Sequence, residues 1–372
     1  MNKDVALVLS SGGPRGFAYI GAIEELESRG YNITSVTGCS IGSLVGGVYA
    51  AGGLDGFKEW LFDLDNAKLL SLLDVSISKS YLMKGEKVID EIKKVVPEVN
   101  IEDLRIPYRA VATDLYTGEE VVFSKGRLFD AIRASISIPS LFRPVKYGYH
   151  TLIDGGVVNT MPLSRAVRNG HDILVAFDVN HIDSEKIASY LKELEDVRAE
   201  DIELKSDALD AIGDLALKKG VSLLDRVRMI GDEAQKAYKG IVEIGKKTRQ
   251  LEDEVNDENI PTSDNYYSIL TRTFSLMNHT IARQSIQLYK PDIVVKMTFD
   301  TYGAIPDYAK GEEIAAEGRE LMSAALDEYE RAEDEQSSVM SDNGNKSMLL
   351  CIRPAGNIRC FHYVSFKIVE MM

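Results

Sequence analysis

The chain has 372 residues, 45% of them hydrophobic, and a formal net charge of −15 at pH 7. This length and hydrophobic content are sufficient for one large α/β domain with an elaboration. The negative charge leaves no basic stripe to neutralise phosphates, so we expect no nucleic-acid partner, and it disfavours purely electrostatic adhesion to anionic lipid.

The three cysteines, Cys39, Cys351 and Cys360, do not form the pattern of a disulfide framework or a metal site. No segment has the character of a transmembrane span, and the first strand begins too close to Met1 to leave room for a signal peptide. We therefore expect a cytoplasmic protein that is able to contact a membrane peripherally. No residue pattern indicates its oligomeric state.

The first element is the apolar run Val5–Leu9, which predicts a buried parallel strand. A glycine-rich loop (residues 10–16) follows it and leads into a helix. Backbone N–H groups in such a loop can form a nest for an oxyanion, with Gly13 and Arg15 as donors. Gly12 and Gly16 shape the turn. Two roles are open for the Arg15 side chain: contact with a lipid phosphate, or bracing of the loop through nearby carbonyl groups.

The alternative for this loop is a phosphate-binding turn of a dinucleotide-binding fold. That fold uses the spacing G-x-G-x-x-G, and Ser11 stands where its first glycine is needed. The spacing therefore disfavours nucleotide binding.

The second motif is Gly38-Cys39-Ser40-Ile41-Gly42, a G-x-S-x-G sequence between a β-branched run and an apolar helical segment. Strand, sharp turn and helix are the context of a nucleophile elbow, which exposes a strained serine at the edge of a sheet. The sequence therefore predicts Ser40 as a nucleophile, with Gly38 and Gly42 giving close access. An ordinary strand-to-helix turn is the alternative.

The third motif is Asp154-Gly155-Gly156, placed directly after a short apolar strand over 150–153. Two glycines next to an aspartate permit close packing against another backbone. An isolated Asp-Gly pair more often marks a simple turn at the end of a strand.

In this order the three motifs resemble the patatin-like phospholipase family. Two segments between the serine and the aspartate, Ala112–Gly118 and Ala134–Phe142, also resemble that family. The resemblance covers roughly residues 4–180 and resumes at about 265–325. The chain departs from the family at Ser11, because the family's loop usually opens with glycine.

The resemblance implies a three-layer α/β/α fold with a largely parallel central sheet. It also implies a catalytic Ser-Asp dyad of Ser40 and Asp154, no metal or other cofactor, and lipid acyl esters such as phospholipids or lysophospholipids as substrates. A serine hydroxyl is a poor nucleophile until a base takes its proton. Asp154 would therefore have to be desolvated enough to become a stronger base while remaining ionised at working pH.

A Ser-His-Asp hydrolase is the alternative, with His150 or His171 as the base. In an α/β-hydrolase several strands precede the serine elbow, whereas here one clear strand precedes the elbow strand. The chain order therefore disfavours this alternative.

Apolar residues follow the elbow helix in an almost continuous segment: Trp60, Leu61, Phe62, Leu64, Leu69, Leu70, Leu72 and Leu73. Such a segment predicts either a lid or lipid-facing surface, or a helix packed on the core. Both remain open at this point.

Beyond the strand predicted at 173–179, the chain becomes charged and helical, which indicates a helical insertion at about 184–262. A helix around 266–288, a last strand at 292–297 and an acidic helix at 307–335 follow. We predict a hydrolase domain over 1–335 that contains this insertion, and a C-terminal tail, 336–372, of unknown role. The tail is consistent with an added strand pair, a flexible end or sequence foreign to the domain.

The sequence thus predicts a serine acyl-ester hydrolase that acts on lipids. Two rivals from other classes remain: a catalytically silent lipid-binding or scaffolding protein of the same fold, and a nucleotide-binding regulator that uses the glycine-rich loop.

Overall fold

The computed structural model describes residues 3–72, 81–217, 266–299, 302, 305–342, 349–352 and 359–362, with scattered positions between 222 and 246. Contacts divide the chain into two units. The first comprises residues 1–181, 275–299 and 303–372, and the second comprises 182–274 and 300–302. The division into a domain over 1–335, an insertion at 184–262 and a tail remains a prediction.

The strands are β1 (Asp4–Leu9), β2 (Asn32–Cys39), β3 (Tyr81–Met83), β4 (Tyr108–Asp114), β5 (Glu120–Phe123), β6 (Ser140–Phe142), β7 (Val145–Tyr147), β8 (His150–Asp154), β9 (Ile173–His181), β10 (Ile293–Thr298), β11 (Leu349–Ile352) and β12 (Arg359–His362). The α-helices are α1 (Ala18–Ser28), α2 (Ile41–Ala50), α3 (Leu54–Phe62), α4 (Asn66–Leu72), α5 (Glu86–Val95), α6 (Leu128–Ser135), α7 (Ser184–Leu217), α8 (Tyr266–Tyr289) and α9 (Gly311–Asp342).

The central sheet of the first unit has the order β10-β9-β1-β2-β4-β8-β7, and β5 pairs with β4. The five strands from β10 to β4 run parallel, whereas β5, β7 and β8 are antiparallel to their neighbours. The prediction of a largely parallel sheet is therefore confirmed.

Both faces of this sheet are covered, which explains why its strands are apolar without alternation. On one face Ala6 and Val8 of β1 pack in a buried cluster with Ala282 of α8. Leu9 points to the other face, where it lies close to Gly46 of α2. Successive side chains of a strand point to opposite faces, so the arrangement is the predicted three-layer α/β/α fold.

The ends of β2 and β8 meet on one edge of β4. Cys39, the last residue of β2, lies opposite Val111, and Asp154, the last residue of β8, lies opposite Ala112. Since β5 pairs with both Val111 and Ala112 from the other side, β2 and β8 share the remaining edge and approach each other end to end. This register brings Ser40, which follows β2, next to Asp154.

In the second unit, α7 is the long helix that the charged pattern predicts, and Val197 is buried with Ile244 packed against it. Residues 247–262 of the predicted insertion lie outside the described residues. In the tail, β11 and β12 form an antiparallel pair, which agrees with the strand-pair alternative for the residues described. No helix in the described ranges combines the length and the apolar character that crossing a membrane requires.

Candidate active site

Ser40 lies at the turn between β2 and α2, with φ of 52° and ψ of −123°. A positive φ is unfavourable for a residue with a side chain, and such strain is typical of a nucleophile elbow. The serine is buried, with 4% of its surface exposed. The predicted elbow conformation is therefore present at Ser40.

The glycines on either side of Ser40 are required by close backbone packing. A Cβ on Gly38 would lie 2.3 Å from the carbonyl oxygen of Gly42. A Cβ on Gly42 would lie 2.5 Å from the carbonyl oxygen of Leu9 and 2.6 Å from that of Ser10. The turn is thus pressed directly against the end of β1, and the two glycines permit it.

We expect Gly42→Ala to lower the free energy of unfolding by about 3 kcal/mol or more, because neither carbonyl can move without shifting β1. Gly52→Ala is the control, since Gly52 has φ of 74° but no atom within 4 Å of the added Cβ. It should lose only about 1–2 kcal/mol from backbone strain. Urea unfolding of both variants measures the difference, and equal losses would contradict the packing argument.

The carboxylate of Asp154 is the direct partner of the elbow serine. The Ser40 hydroxyl donates a hydrogen bond to Asp154 Oδ2 at 2.5 Å, and the Gly156 N–H donates to Asp154 Oδ1 at 2.7 Å. Burial raises the pKa of Asp154 to about 6, although both hydrogen bonds act in the opposite direction. Desolvation therefore makes this carboxylate a stronger base that is still ionised at neutral pH.

Gly155 and Gly156 have separate roles beside Asp154. A Cβ on Gly155 would lie 2.2 Å from the carbonyl oxygen of Val111, so this glycine allows the turn to pack on β4. Gly156 supplies the backbone N–H that orients the carboxylate. The Asp-Gly-Gly motif thus holds the aspartate as well as turning the chain.

The end of α6 and the residues directly after it hold both members of this pair in place. The Ser40 N–H donates to the Ser135 hydroxyl at 2.8 Å, and that hydroxyl donates to the Val111 carbonyl at 2.6 Å. Two residues later, the Ser137 carbonyl accepts the Asp154 N–H at 2.9 Å. Ser135 is a positioning residue, and no local sequence signal distinguishes it from other serines.

We expect Ser135→Ala to leave two buried backbone groups without partners, which destabilises the fold by about 1–3 kcal/mol. The elbow should also lose its alignment, and kcat for a short-chain ester should fall by about tenfold or more while KM changes little. Steady-state kinetics together with urea unfolding test both effects. An unchanged kcat in a destabilised variant would show that Ser135 is only structural.

The glycine-rich loop forms a short 3₁₀ helix over Gly13–Phe17 beside the elbow. A Cβ on Gly16 would lie 2.2 Å from Ile41, and one on Gly12 would lie 2.2 Å from Val179, so these glycines allow close packing against α2 and β9. Gly13 has φ of 59° and lines a cavity together with Ser40. Its N–H has no bonded acceptor among the residues that the structure describes.

The Arg15 side chain is buried and turned toward the protein. Its Nε donates to the Val179 carbonyl at 2.8 Å, its Nη1 donates to the Phe299 carbonyl at 3.2 Å, and the guanidinium lies 4.4 Å from the Phe299 ring centre. These contacts favour the bracing role over contact with a lipid phosphate. Arg15 is not among the residues that line the cavity beside Ser40.

The cavity beside Ser40 is almost entirely apolar. Its lining residues are Gly13, Phe17, Ser40, Ile41, Leu44, Phe57, Trp60, Leu61, Leu64, Leu69, Leu72, Met83, Val88, Ile92, Ile136, Ile138, Leu141, Phe142 and Tyr308. The predicted apolar segment at 60–73 thus supplies five of these lining residues, and it packs toward the cavity. Leu70 is its exposed member, and Leu73 lies outside the described residues.

Tyr308 places a hydroxyl group in this cavity, which the sequence did not indicate. The tyrosine oxygen lies 3.5 Å from the position of a Cβ on Gly13, and the ring packs edge-on against Phe17 at 5.8 Å between centres. A side chain from the 3₁₀ turn over Ile305–Ala309 therefore closes the cavity next to the glycine-rich loop.

Neither histidine considered as an alternative base is placed to act on Ser40. His150 is four residues from Asp154 along β8, or about 13 Å in an extended strand, and its Nδ1 contacts the Asp114 carboxylate. His171 precedes the first residue of β9, whereas Ser40 follows the last residue of β2, so the two residues lie at opposite ends of these parallel strands. The geometry therefore favours Asp154 over a histidine as the base.

Comparison with known proteins identifies relatives of this chain. Residues 7–167 match the family model described as patatin-like phospholipase. The chain is 33% identical over 348 residues to an NTE family protein of Mycobacterium tuberculosis, which covers 90% of this chain and 94% of that protein.

Two longer relatives match about half of the chain. Patatin-like phospholipase domain-containing protein 6 of Homo sapiens is 32% identical over 194 residues, 50% of this chain and 14% of that protein. A lysophospholipase of Debaryomyces hansenii is 30% identical over 193 residues, 51% of this chain and 12% of that protein. The chain belongs to the patatin-like phospholipase family, as its motifs predicted.

Proposed function

We propose that this chain is a serine hydrolase of lipid acyl esters, of the phospholipase A or lysophospholipase type, with Ser40 as nucleophile and Asp154 as base. One observation carries the proposal: the hydroxyl of a strained elbow serine donates to a buried carboxylate at the wall of an apolar cavity. A serine becomes an effective nucleophile when a neighbouring base takes its proton, and Asp154 is placed to be that base.

The proposed reaction has two halves. Ser40 Oγ attacks the ester carbonyl carbon while Asp154 takes the hydroxyl proton, and the carbonyl oxygen becomes an oxyanion. The Gly13 N–H stabilises that oxyanion. When the intermediate collapses, the ester C–O bond breaks and Asp154 returns the proton to the leaving alcohol. Water then attacks the acyl-enzyme and gives a proton to Asp154, which returns it to Ser40 Oγ as the acyl–oxygen bond breaks and the fatty acid leaves.

The cavity supports the substrate class that we propose. Its walls are aliphatic and aromatic, and its polar groups are Ser40, Tyr308 and the backbone at Gly13. Such a surface suits an acyl chain, with the ester held at the polar end beside Ser40. The names of the relatives, phospholipase and lysophospholipase, support the same class. The dyad uses no metal or other cofactor in this scheme.

Fluorophosphonate labelling followed by peptide mapping tests the proposal. We expect the probe to label Ser40 in the wild type and nothing in Ser40→Ala. Ser11→Ala is the matched control, because Ser11 is also buried, lies like the Asp154 carboxylate beside Gly156, and its hydroxyl has no partner among the described residues. It should keep its labelling. Folded wild-type protein with no labelling and no esterase activity would instead support a lipid-binding protein of this fold.

A further inference from the structure

The hairpin of β7 and β8 leads away from Asp154. Asp154 lies level with Ala112 of β4, and from there β8 extends away from Ser40 back to His150. The Leu115 N–H donates to the Thr151 carbonyl at 2.8 Å, so the hairpin lies beside the turn that follows β4. Its tip is at Gly148 and Tyr149.

Large side chains are exposed around this tip. Tyr149 is fully exposed, Tyr116 is 75% exposed, and Leu115 and Tyr147 are about half exposed. Leu115 and Tyr116 belong to the turn after β4, which extends beside the hairpin. We call these four residues, Leu115, Tyr116, Tyr147 and Tyr149, the tyrosine surface.

Side-chain contacts join the two parts of the tyrosine surface. The Lys146 Nζ lies 5.9 Å from the centre of the Tyr116 ring, and the Tyr147 ring packs edge-on against Phe123 of β5 at 5.5 Å. Lys146 therefore joins the hairpin to the turn after β4, and Tyr147, which points to the other face of the strand, is supported by β5.

The part of the hairpin before Asp154 carries no carboxylate, although the chain from the end of β4 to the start of β5 contains Asp114, Glu119 and Glu120. Residues 131–153 contain no aspartate or glutamate, although the chain has 58 of them. Arg143 is paired with Glu86, and His150 contacts Asp114. Lys146 donates to the Thr151 hydroxyl and has no carboxylate partner among the residues described. Lys146 thus lies next to the exposed Tyr116 without a carboxylate partner among the described residues.

We propose that the tyrosine surface and Lys146 dock the protein on the headgroup layer of an anionic phospholipid surface, an inference that rests on the proposed function. Tyrosines suit the boundary between water and hydrocarbon because the ring is apolar and the hydroxyl stays hydrated. Lys146 attracts headgroup phosphates. A lipid surface is therefore the occupant that fits both features.

The docking surface is continuous with the cavity that would receive the acyl chain. Leu141 and Phe142 of β6 line that cavity, and β7 begins three residues after Phe142. Lipid bound at the hairpin would thus lie beside the cavity wall. Docking of this kind brings a lipid ester from the membrane surface to the cavity, and it does not require a large positive charge on the protein. It therefore explains how a chain of net charge −15 acts on lipid.

Vesicle co-sedimentation in a Ser40→Ala background tests the docking. We expect binding to phosphatidylcholine vesicles that contain phosphatidylglycerol, and Tyr116→Ser/Tyr149→Ser should lower the partition coefficient about tenfold or more. Lys146→Gln should lower it about fivefold on these vesicles and little on phosphatidylcholine alone. The control is Val95→Ser, because Val95 is also an exposed apolar residue, at the end of α5 beside Gly56 of α3, beyond the end of α2 that is remote from Ser40. It should bind like the parent.

The same surface substitutions with Ser40 intact keep the two proposals separable. Hydrolysis of a soluble short-chain ester and fluorophosphonate labelling should be unchanged, because none of these residues lines the cavity. Loss of vesicle binding with intact ester hydrolysis supports docking. Equal vesicle binding by the double tyrosine variant and its parent overturns it, as does a parent that binds no vesicles but dimerises through the tyrosines. Absent ester hydrolysis in the wild type would count against the proposed function instead.

Discussion

Ser40→Ala should lower kcat/KM for a short-chain ester by about 10⁴-fold or more, and Asp154→Asn by about 10³–10⁴-fold. The two side chains act as one unit, because the Ser40 hydroxyl donates directly to Asp154. The double variant should therefore lose no more activity than Ser40→Ala alone. Steady-state kinetics with the four proteins measure this non-additivity.

Asp114→Asn is the matched control for the aspartate. Asp114 is also a buried carboxylate at the end of a strand, and it accepts the backbone N–H of Tyr116, but it contacts His150 instead of Ser40. Its replacement should leave ester hydrolysis within a fewfold of the wild type. If Asp154→Asn kept full activity, Asp154 would be structural and a different base would be required.

The second large effect is a pH dependence set by Asp154. Because burial raises the pKa of this carboxylate to about 6, we expect kcat/KM to fall about tenfold per pH unit as the pH drops below that value. Asp154→Asn should show no such step in its residual activity. A profile that is flat between about pH 5 and pH 8 would contradict the assignment of Asp154 as base.

The same shift predicts a change in stability. The pKa of Asp154 is higher in the folded protein than its ordinary value near 4, so the native state binds the proton more tightly than the unfolded state. This tighter proton binding stabilises the fold, and the stabilisation is fully present below about pH 4. It is lost as the pH rises through about 6, which lowers the free energy of unfolding by about 3 kcal/mol.

Asp154→Asn removes that loss. At about pH 8 the variant should exceed the wild type by up to about 3 kcal/mol in the free energy of unfolding, and at about pH 5 by roughly half as much. Urea unfolding at the two pH values checks this. A variant that is less stable than the wild type at the higher pH would show that the ionised carboxylate is not an unfavourable group in the fold.

Sequence patterns were sufficient for the architecture. Continuous apolar runs such as Val5–Leu9 and Ile173–Val179 predicted strands that are buried on both faces, and helical spacing predicted α8 and α9. These signals are local, because they depend on which faces of one element must be buried. The glycine spacing around Ser40 likewise indicated the elbow, since only glycine permits such close backbone contact.

The apolar segment at 60–73 could not be interpreted in the same way. Its composition fits an exposed lipid-facing patch as well as an internal wall. In the structure this segment forms an internal wall, because Trp60, Leu64 and Leu69 line the cavity that contains Ser40. A hydrophobic composition indicates that a surface is unfavourable in water, but it does not indicate what covers that surface.

The sequence by itself determined the fold class, the elbow serine and the presence of an aspartate with two glycines at a strand end. Only the tertiary structure decided that Ser40 and Asp154 meet, because their contact depends on two strands reaching adjacent residues of β4 from opposite directions. It also decided the role of Ser135, the closure of the cavity by Tyr308 and the raised pKa of Asp154. Each of these depends on residues distant in the chain, and local patterns carry no information about such pairs.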